Sequence, residues 1–163
     1  MGNRAVIQFK EDDNKNAPAV YLHWEGGPGS VLGFLCEMRR RKWTRQDYAS
    51  ARFVQVVGEL FDAKGDDESG LSLGLVPGGK VAKDWAKGCD NGLYVVSMDY
   101  DRKMWIVKHG RKTYEIDLTT ETFPVLKDEY DSKSIKRVYD QLGQVRSDRK
   151  LAAQKRINKT EVA

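Results

Sequence analysis

The chain has 163 residues, a formal net charge of +4, 40% apolar residues and 10% aromatic residues. That length is one domain and that composition buries a core, which excludes wholesale disorder. No apolar run reaches the roughly 18 residues of a bilayer span, and two cysteines are too few for a disulfide framework.

The first nine residues, ending at Phe9, carry neither the apolar segment nor the cleavage site of a signal peptide. Val6 stands where a myristoylation signal needs Ser or Thr, so the expected compartment is the cytoplasm. There Cys36 and Cys89 are expected as free thiols. With only His23 and His109 beside them they match no zinc spacing, so neither a metal nor a cofactor is expected.

Residues 4–9 alternate, with Ala5, Ile7 and Phe9 on one side, which predicts a strand. A polar loop over 11–16 and Pro18 lead into a second run over 19–24, so the two strands are expected as an antiparallel hairpin. Gly26-Gly-Pro-Gly29 breaks that run, and Ser30 is placed to cap a helix carrying Val31, Leu35 and Met38 at helical spacing. Arg39-Arg-Arg-Lys42 closes this helix with positive charge, which the helix dipole favours. Thr44 is the expected N-cap of a second helix, whose stripe of Tyr48, Phe53, Val56, Val57, Leu60 and Phe61 runs to about Gly65. A strand is predicted over 71–76, while 80–87 gives no clear pattern around Trp85. Turns at Asp90-Asn-Gly92, 99–103 and Gly110-Arg111 separate runs over 93–98, 104–109 and 112–118, an antiparallel meander. Ile135, Val138, Tyr139, Leu142 and Val145 recur at three and four, which predicts an amphipathic helix from Ser134. Beyond Arg146 the apolar positions thin, leaving a solvated helix, a frayed tail or a partner-binding arm. The expected fold is α+β: an antiparallel sheet of about five or six strands, an inserted helical hairpin and a basic C-terminal helix. Residues 1–131 form the expected globular domain and 132–163 the basic helix or tail.

The net charge is divided unevenly. From Ser132 to Lys159 nine Lys or Arg stand against Asp140 and Asp148, a local +7 that leaves −3 for the remainder. A basic end on a mildly acidic body points to an acidic partner, either nucleic acid or an acidic protein face.

Two basic stretches are candidate binding residues. Arg39, Arg40, Arg41, Lys42, Trp43 and Arg45 interleave an aromatic ring with cations, as a strand-tracking groove does; the structural alternative is a solvated helix end with Trp43 stapling two helices. Lys136, Arg137, Arg146, Arg149 and Lys150 lie on the C-terminal helix, whose charges form a binding face if its apolar stripe docks on the body. His23, Gly26, Gly27 and Ser30 mark a possible ligand turn, where backbone N–H groups at a helix start could hold a phosphate. That turn lacks both the P-loop ending and the dinucleotide fingerprint, so a tight strand-to-helix turn is the structural alternative. A nucleophilic pairing of His23 with Cys36 or Cys89 needs an activated thiol and an orienting third group. Asp66, Asp67, Glu68, Asp99 and Asp101 lack the ordered ligand series of a calcium loop and are expected as turn residues.

Tyr21-Leu-His-Trp24 with Gly26-Gly27, Ala51-Arg-Phe53 with Gln55-Val-Val-Gly-Glu-Leu-Phe61, and Asp90-Asn-Gly-Leu-Tyr-Val-Val96 together carry a resemblance. On these motifs and the opening Met-Gly-Asn-Arg-Ala-Val-Ile, the chain resembles a family of small uncharacterised proteins of bacteria, phages and other mobile elements. The resemblance covers roughly residues 1–115 and carries no catalytic residues. It implies a mobile-element product that acts on a host system. The expected function is therefore a non-enzymatic protein that binds and inhibits a host protein or ribonucleoprotein complex in an anti-CRISPR-like manner, with no membrane partner. The alternatives are a direct nucleic-acid binder and an enzyme built on the His23 region.

Overall fold

The computed structural model describes residues 3–10, 17–63 and 73–161. One six-stranded sheet organises the chain: β1 (Ala5–Lys10), β2 (Ala19–Leu22), β3 (Leu73–Val76), β4 (Leu93–Asp99), β5 (Met104–His109) and β6 (Lys112–Asp117). Their order across the sheet is β3-β2-β1-β4-β5-β6. Every neighbouring pair is antiparallel except β1 and β4, which run parallel with Val6 opposite Leu93. A parallel pair needs a long crossover, and here everything between β1 and β4 supplies it. The fold is α+β, as the pattern of runs predicts.

Alternation assigns each strand residue to a face. Ala5, Ile7, Phe9, Val20, Leu22, Tyr94, Val96, Trp105, Val107, Tyr114 and Ile116 point to one side and enter the main core. Three helices cover that side: α1 (Pro28–Arg40), α2 (Ala49–Ala63) and the 33-residue α4 (Glu129–Glu161). On the other side Val6, Ala19 and Val76 meet Ala82 and Ala86 of α3 (Lys80–Ala86), a smaller cluster. The stretch around Trp85 is thus a short helix, obscure in the sequence because Trp85 itself is 51% exposed.

Helix α1 is the centre of the helical layer and is buried on every side from Gly29 to Arg39. It runs against α4 at close range because its glycines leave room. A Cβ on Gly29 would lie 2.3 Å from the carbonyl oxygen of Asp131, and one on Gly33 2.9 Å from Cβ of Val138. Ile135, Val138 and Leu142 of α4 are fully buried in the main core, so the helix up to Val145 packs with the residues that precede it. From Ser147 to Asn158 every side chain is exposed. The C-terminal element is a continuous helix that starts at Glu129, five residues before the predicted Ser134.

Two predicted caps are replaced. Helix α1 begins at Pro28 with Gly27 as its cap, and the Ser30 hydroxyl donates instead to Glu25 Oε2 at 2.5 Å. Thr44 caps nothing: a 3₁₀ turn over Gln46–Tyr48 precedes α2. Its Gln46 is buried, donating to the carbonyls of Lys10 and Val96 and accepting from Trp105 Nε1.

His109 gives the fold a titratable group. Its ring stacks on Tyr94 at 4.0 Å, Nε2–H donates to the Asn91 carbonyl at 2.6 Å, and Nδ1 is buried without a partner. Burial, with Lys112 nearby, holds its pKa below the ordinary 6.5. The unfolded chain therefore takes up this proton first, so the contribution is intact above about pH 6.5 and is lost as pH falls toward the depressed folded value. Thermal melts should show a falling midpoint in that window, and His109→Phe, which keeps the stacked ring, should flatten it.

Candidate docking surface

The run Arg39-Arg-Arg41 is an internal ionic knot and not an outward patch, which corrects the expectation drawn from its charge. Glu37, one turn earlier, is 0% exposed. Arg41 Nε donates to Glu37 Oε1 at 2.6 Å, and its Nη2 to Glu59 Oε2 of α2 at 2.7 Å. Arg40 closes on the other oxygen of Glu37, donates to the Tyr139 carbonyl at 3.0 Å and lies 3.7 Å over the Tyr139 ring. Arg39, 5% exposed, donates to the carbonyls of Thr122 at 2.6 Å and Asp117 at 3.2 Å, tying down the connector ahead of α4. A helix packed on all sides has no wet face, so its last cations find carboxylates and carbonyls within the protein.

The chain leaves α1 by a tight reversal that presents the next residues. Lys42 takes φ 60, its N–H bonds the Arg39 carbonyl at 2.8 Å, and Trp43 N–H bonds the Met38 carbonyl at 2.9 Å. This is the Schellman pattern, with Trp43 supplying the apolar contact to the core. Beyond it Lys42, Trp43, Thr44, Arg45, Tyr48 and Arg52 line a groove of about 250 Å³. Guanidinium carbons stand 4.9 Å (Arg41) and 4.5 Å (Arg52) from the Trp43 ring centre, and Arg45 stands 5.1 Å from that of Tyr48. Tyr48 is 55% exposed, and Arg45 shares its charge with Asp47 at 2.7 Å. Of the predicted run, Lys42, Trp43 and Arg45 belong to this surface. Tyr48 and Arg52 join it although the sequence reading did not name them as binding residues; their i, i+4 spacing was the available signal.

The C-terminal candidates divide. Lys136 pairs with Asp140 at 2.6 Å, and Arg137 with Glu25 at 2.6 Å beside Ser30. Arg146 is half-buried, Lys150 is exposed, and Arg149 reaches Glu59 at 3.1 Å. Glu59 thus holds both Arg41 and Arg149, so the rear of the groove and the start of the exposed α4 stretch share one carboxylate.

The predicted ligand turn is occupied by the protein's own groups, which corrects the phosphate reading. Gly26 N–H donates to the Asn3 carbonyl at 2.7 Å, a Cβ on Gly27 would lie 3.3 Å from the Asn3 amide, and Gly29 N–H reaches Asp131 Oδ1 at 3.3 Å. The strand stops at Leu22, two residues short of the predicted run over 19–24, and Trp24 is 44% exposed. His23 Nδ1 lies 3.1 Å from the Tyr21 hydroxyl, within an edge-to-face series Trp85–Tyr21–His23–Trp24 with centroids 5.5, 6.3 and 5.1 Å apart. Cys36 is a core residue whose thiol burial pushes up to about 11, which suits packing and not nucleophilic attack. Asp99 is held low by the Arg102 N–H and guanidinium, while residues 66–68 lie outside the described residues. Among the described residues no group of three or more His, Cys, Asp or Glu is placed to hold a metal ion, and no helix is long and apolar enough to cross a membrane.

No family model, no curated protein and no solved structure matches this chain.

Proposed function

We propose that this chain is a non-enzymatic docking protein that binds an anionic face of a macromolecular complex through the Lys42–Arg52 groove. The observation that supports it is the juxtaposition, on one rigid helix junction, of two aromatic rings with the cations of Lys42, Arg45 and Arg52. Aromatic rings and arginine together are the side chains that carry most energy at protein interfaces. In the mobile-element setting that the resemblance implies, the complex belongs to the host, and covering an anionic or nucleic-acid-facing surface inhibits it. A nucleic-acid-guided defence complex fits that description.

Capture from nuclease-treated host lysate tests this reading with the wild-type chain and an Arg45→Glu/Arg52→Glu variant of unchanged circular dichroism. Both side chains are exposed, so the variant should fold. A defined complex held by the wild type and released by the variant is the expected result. Equal recovery by both proteins would refute the groove as the docking site.

A further inference from the structure

We propose that the Lys42–Arg52 groove holds a phosphate monoester, carried on a phosphorylated Ser, Thr or Tyr side chain of the partner. This assignment rests on the docking reading above and names the group that the groove recognises.

The charge of the groove fits a dianion. Lys42, Arg45 and Arg52 are exposed cations that line it. Asp47 pairs with Arg45 at 2.7 Å, so three cations against one carboxylate leave +2. Arg41 behind them is matched by Glu37 and Glu59, whereas Lys42 and Arg52 make no ion pair among the described residues. A phosphate monoester carries about −1.5 to −2 at pH 7 and offers three acceptor oxygens. A lone carboxylate or a phosphodiester brings a single charge and leaves the groove positive.

The donors are held ready for such a group. Guanidinium N–H groups lie in the plane of the group, so a guanidinium stacked on a ring keeps its edge free for an anion. Arg52 stands 4.5 Å over Trp43, and Arg45 stands 5.1 Å over Tyr48. Arg52 gives one N–H to Gln55 at 2.9 Å, and Arg45 gives two to Asp47. Their remaining N–H groups, the Lys42 ammonium and the Thr44 hydroxyl supply donors for the phosphate oxygens. Rings that already restrain the guanidinium groups lower the ordering cost of binding.

Size and ring use favour a side chain over a nucleic-acid strand. The groove's volume of about 250 Å³ lies below the roughly 300–1,000 Å³ of small-molecule sites, so it takes one side-chain head group. A single strand is held by successive bases stacked on aromatic rings along a charged groove. Trp43 instead carries two guanidinium groups and packs on the core.

Proton–nitrogen NMR of the full chain tests the assignment, following the Trp43 indole N–H and the backbone amides of residues 42–52. The probe is the peptide acetyl-Gly-phosphoserine-Gly-amide, with glutamate and plain serine peptides as comparators. The phosphopeptide should give saturable shifts, the serine peptide none, and the glutamate peptide should bind about fivefold more weakly. The monoester takes up a proton near pH 6, so phosphopeptide affinity should fall about fivefold between about pH 7.5 and about pH 5. Lys42, Arg45, Asp47, Tyr48 and Arg52 face the groove, with Arg41, Glu37 and Glu59 behind it and no histidine among them, so this fall follows the ligand. Arg52→Gln should weaken binding about fivefold, and Asp47→Asn, which releases Arg45, should strengthen it by a similar factor. Equal or tighter binding of the glutamate peptide, or of 5′-phosphorylated oligothymidylate, would overturn the phosphorylated side chain and leave the groove as a docking site. Absence of shifts with the phosphopeptide, or affinity unmoved by both variants, would also overturn it. Capture of the complex by the wild type and not by Arg45→Glu/Arg52→Glu would then still uphold the docking reading on its own.

Discussion

Replacing Glu37 with alanine is expected to destabilise the fold by about 3–5 kcal/mol, the range for removing one partner of a buried ion pair. Glu37 is wholly buried and is the shared acceptor of Arg40 and Arg41, both at the edge of the core. Without it Arg41 keeps Glu59 and Arg40 keeps the Tyr139 carbonyl and ring, but the knot holds three arginines against one fewer carboxylate. An uncompensated charge in that position costs more than the pair contributes, because desolvation is no longer offset. Glu37→Gln, which keeps the shape, should be destabilised in the same direction, and urea unfolding reads both. A loss below about 1 kcal/mol would show the arginines to be solvated in solution and would return Arg40 and Arg41 to the surface.

Gly29→Ala is expected to cost about 3 kcal/mol, the upper end for overpacking a close-packed seam. The added methyl would meet the Asp131 carbonyl oxygen at 2.3 Å and Ser134 Cβ at 2.6 Å, both fixed parts of α4, so α1 and α4 would have to separate. The opposite sign is expected at Gly58, where a Cβ meets nothing within 4 Å in the middle of α2. Gly58→Ala should gain about 0.5–1 kcal/mol from helix propensity. Urea midpoints of the two variants, measured side by side, check packing and propensity on one scale. If Gly29→Ala also stabilised, α1 and α4 would not be in contact as described.

Much of the sheet was legible because its signals are local. Alternation marked β1, runs bounded by turn residues marked β2 and the meander, and glycines at the turns take the positive φ that those turns need, 65 at Gly92 and 57 at Gly110. The parallel pairing of β1 with β4 was not legible, since it joins strands more than 80 residues apart and local pattern carries no trace of register. The arginine run was misread because a basic helix end is normally wet, and its charge is silent about a buried Glu37 one turn earlier. The extent of α4 was missed because only its first half follows an apolar stripe. The remainder is built from helix-favouring Lys, Arg, Gln and Ala, with side-chain pairs such as Gln144 to Asp148 at 2.9 Å. At the candidate site Lys42, Trp43 and Arg45 were legible as an aromatic among cations. Tyr48 became part of it through the 3₁₀ turn, and Arg52 through the first turn of α2, which sets it over the Trp43 ring.

Docking through the Lys42–Arg52 groove is tested most directly by hydrogen exchange on the free chain and on the complex it captures. Slowed exchange across residues 42–52, with residues 19–24 and 80–86 unchanged, is the predicted result. Protection confined to the Trp85–Tyr21–His23–Trp24 aromatics, with 42–52 exchanging as in the free chain, would contradict it and move the interface to the opposite face of the sheet.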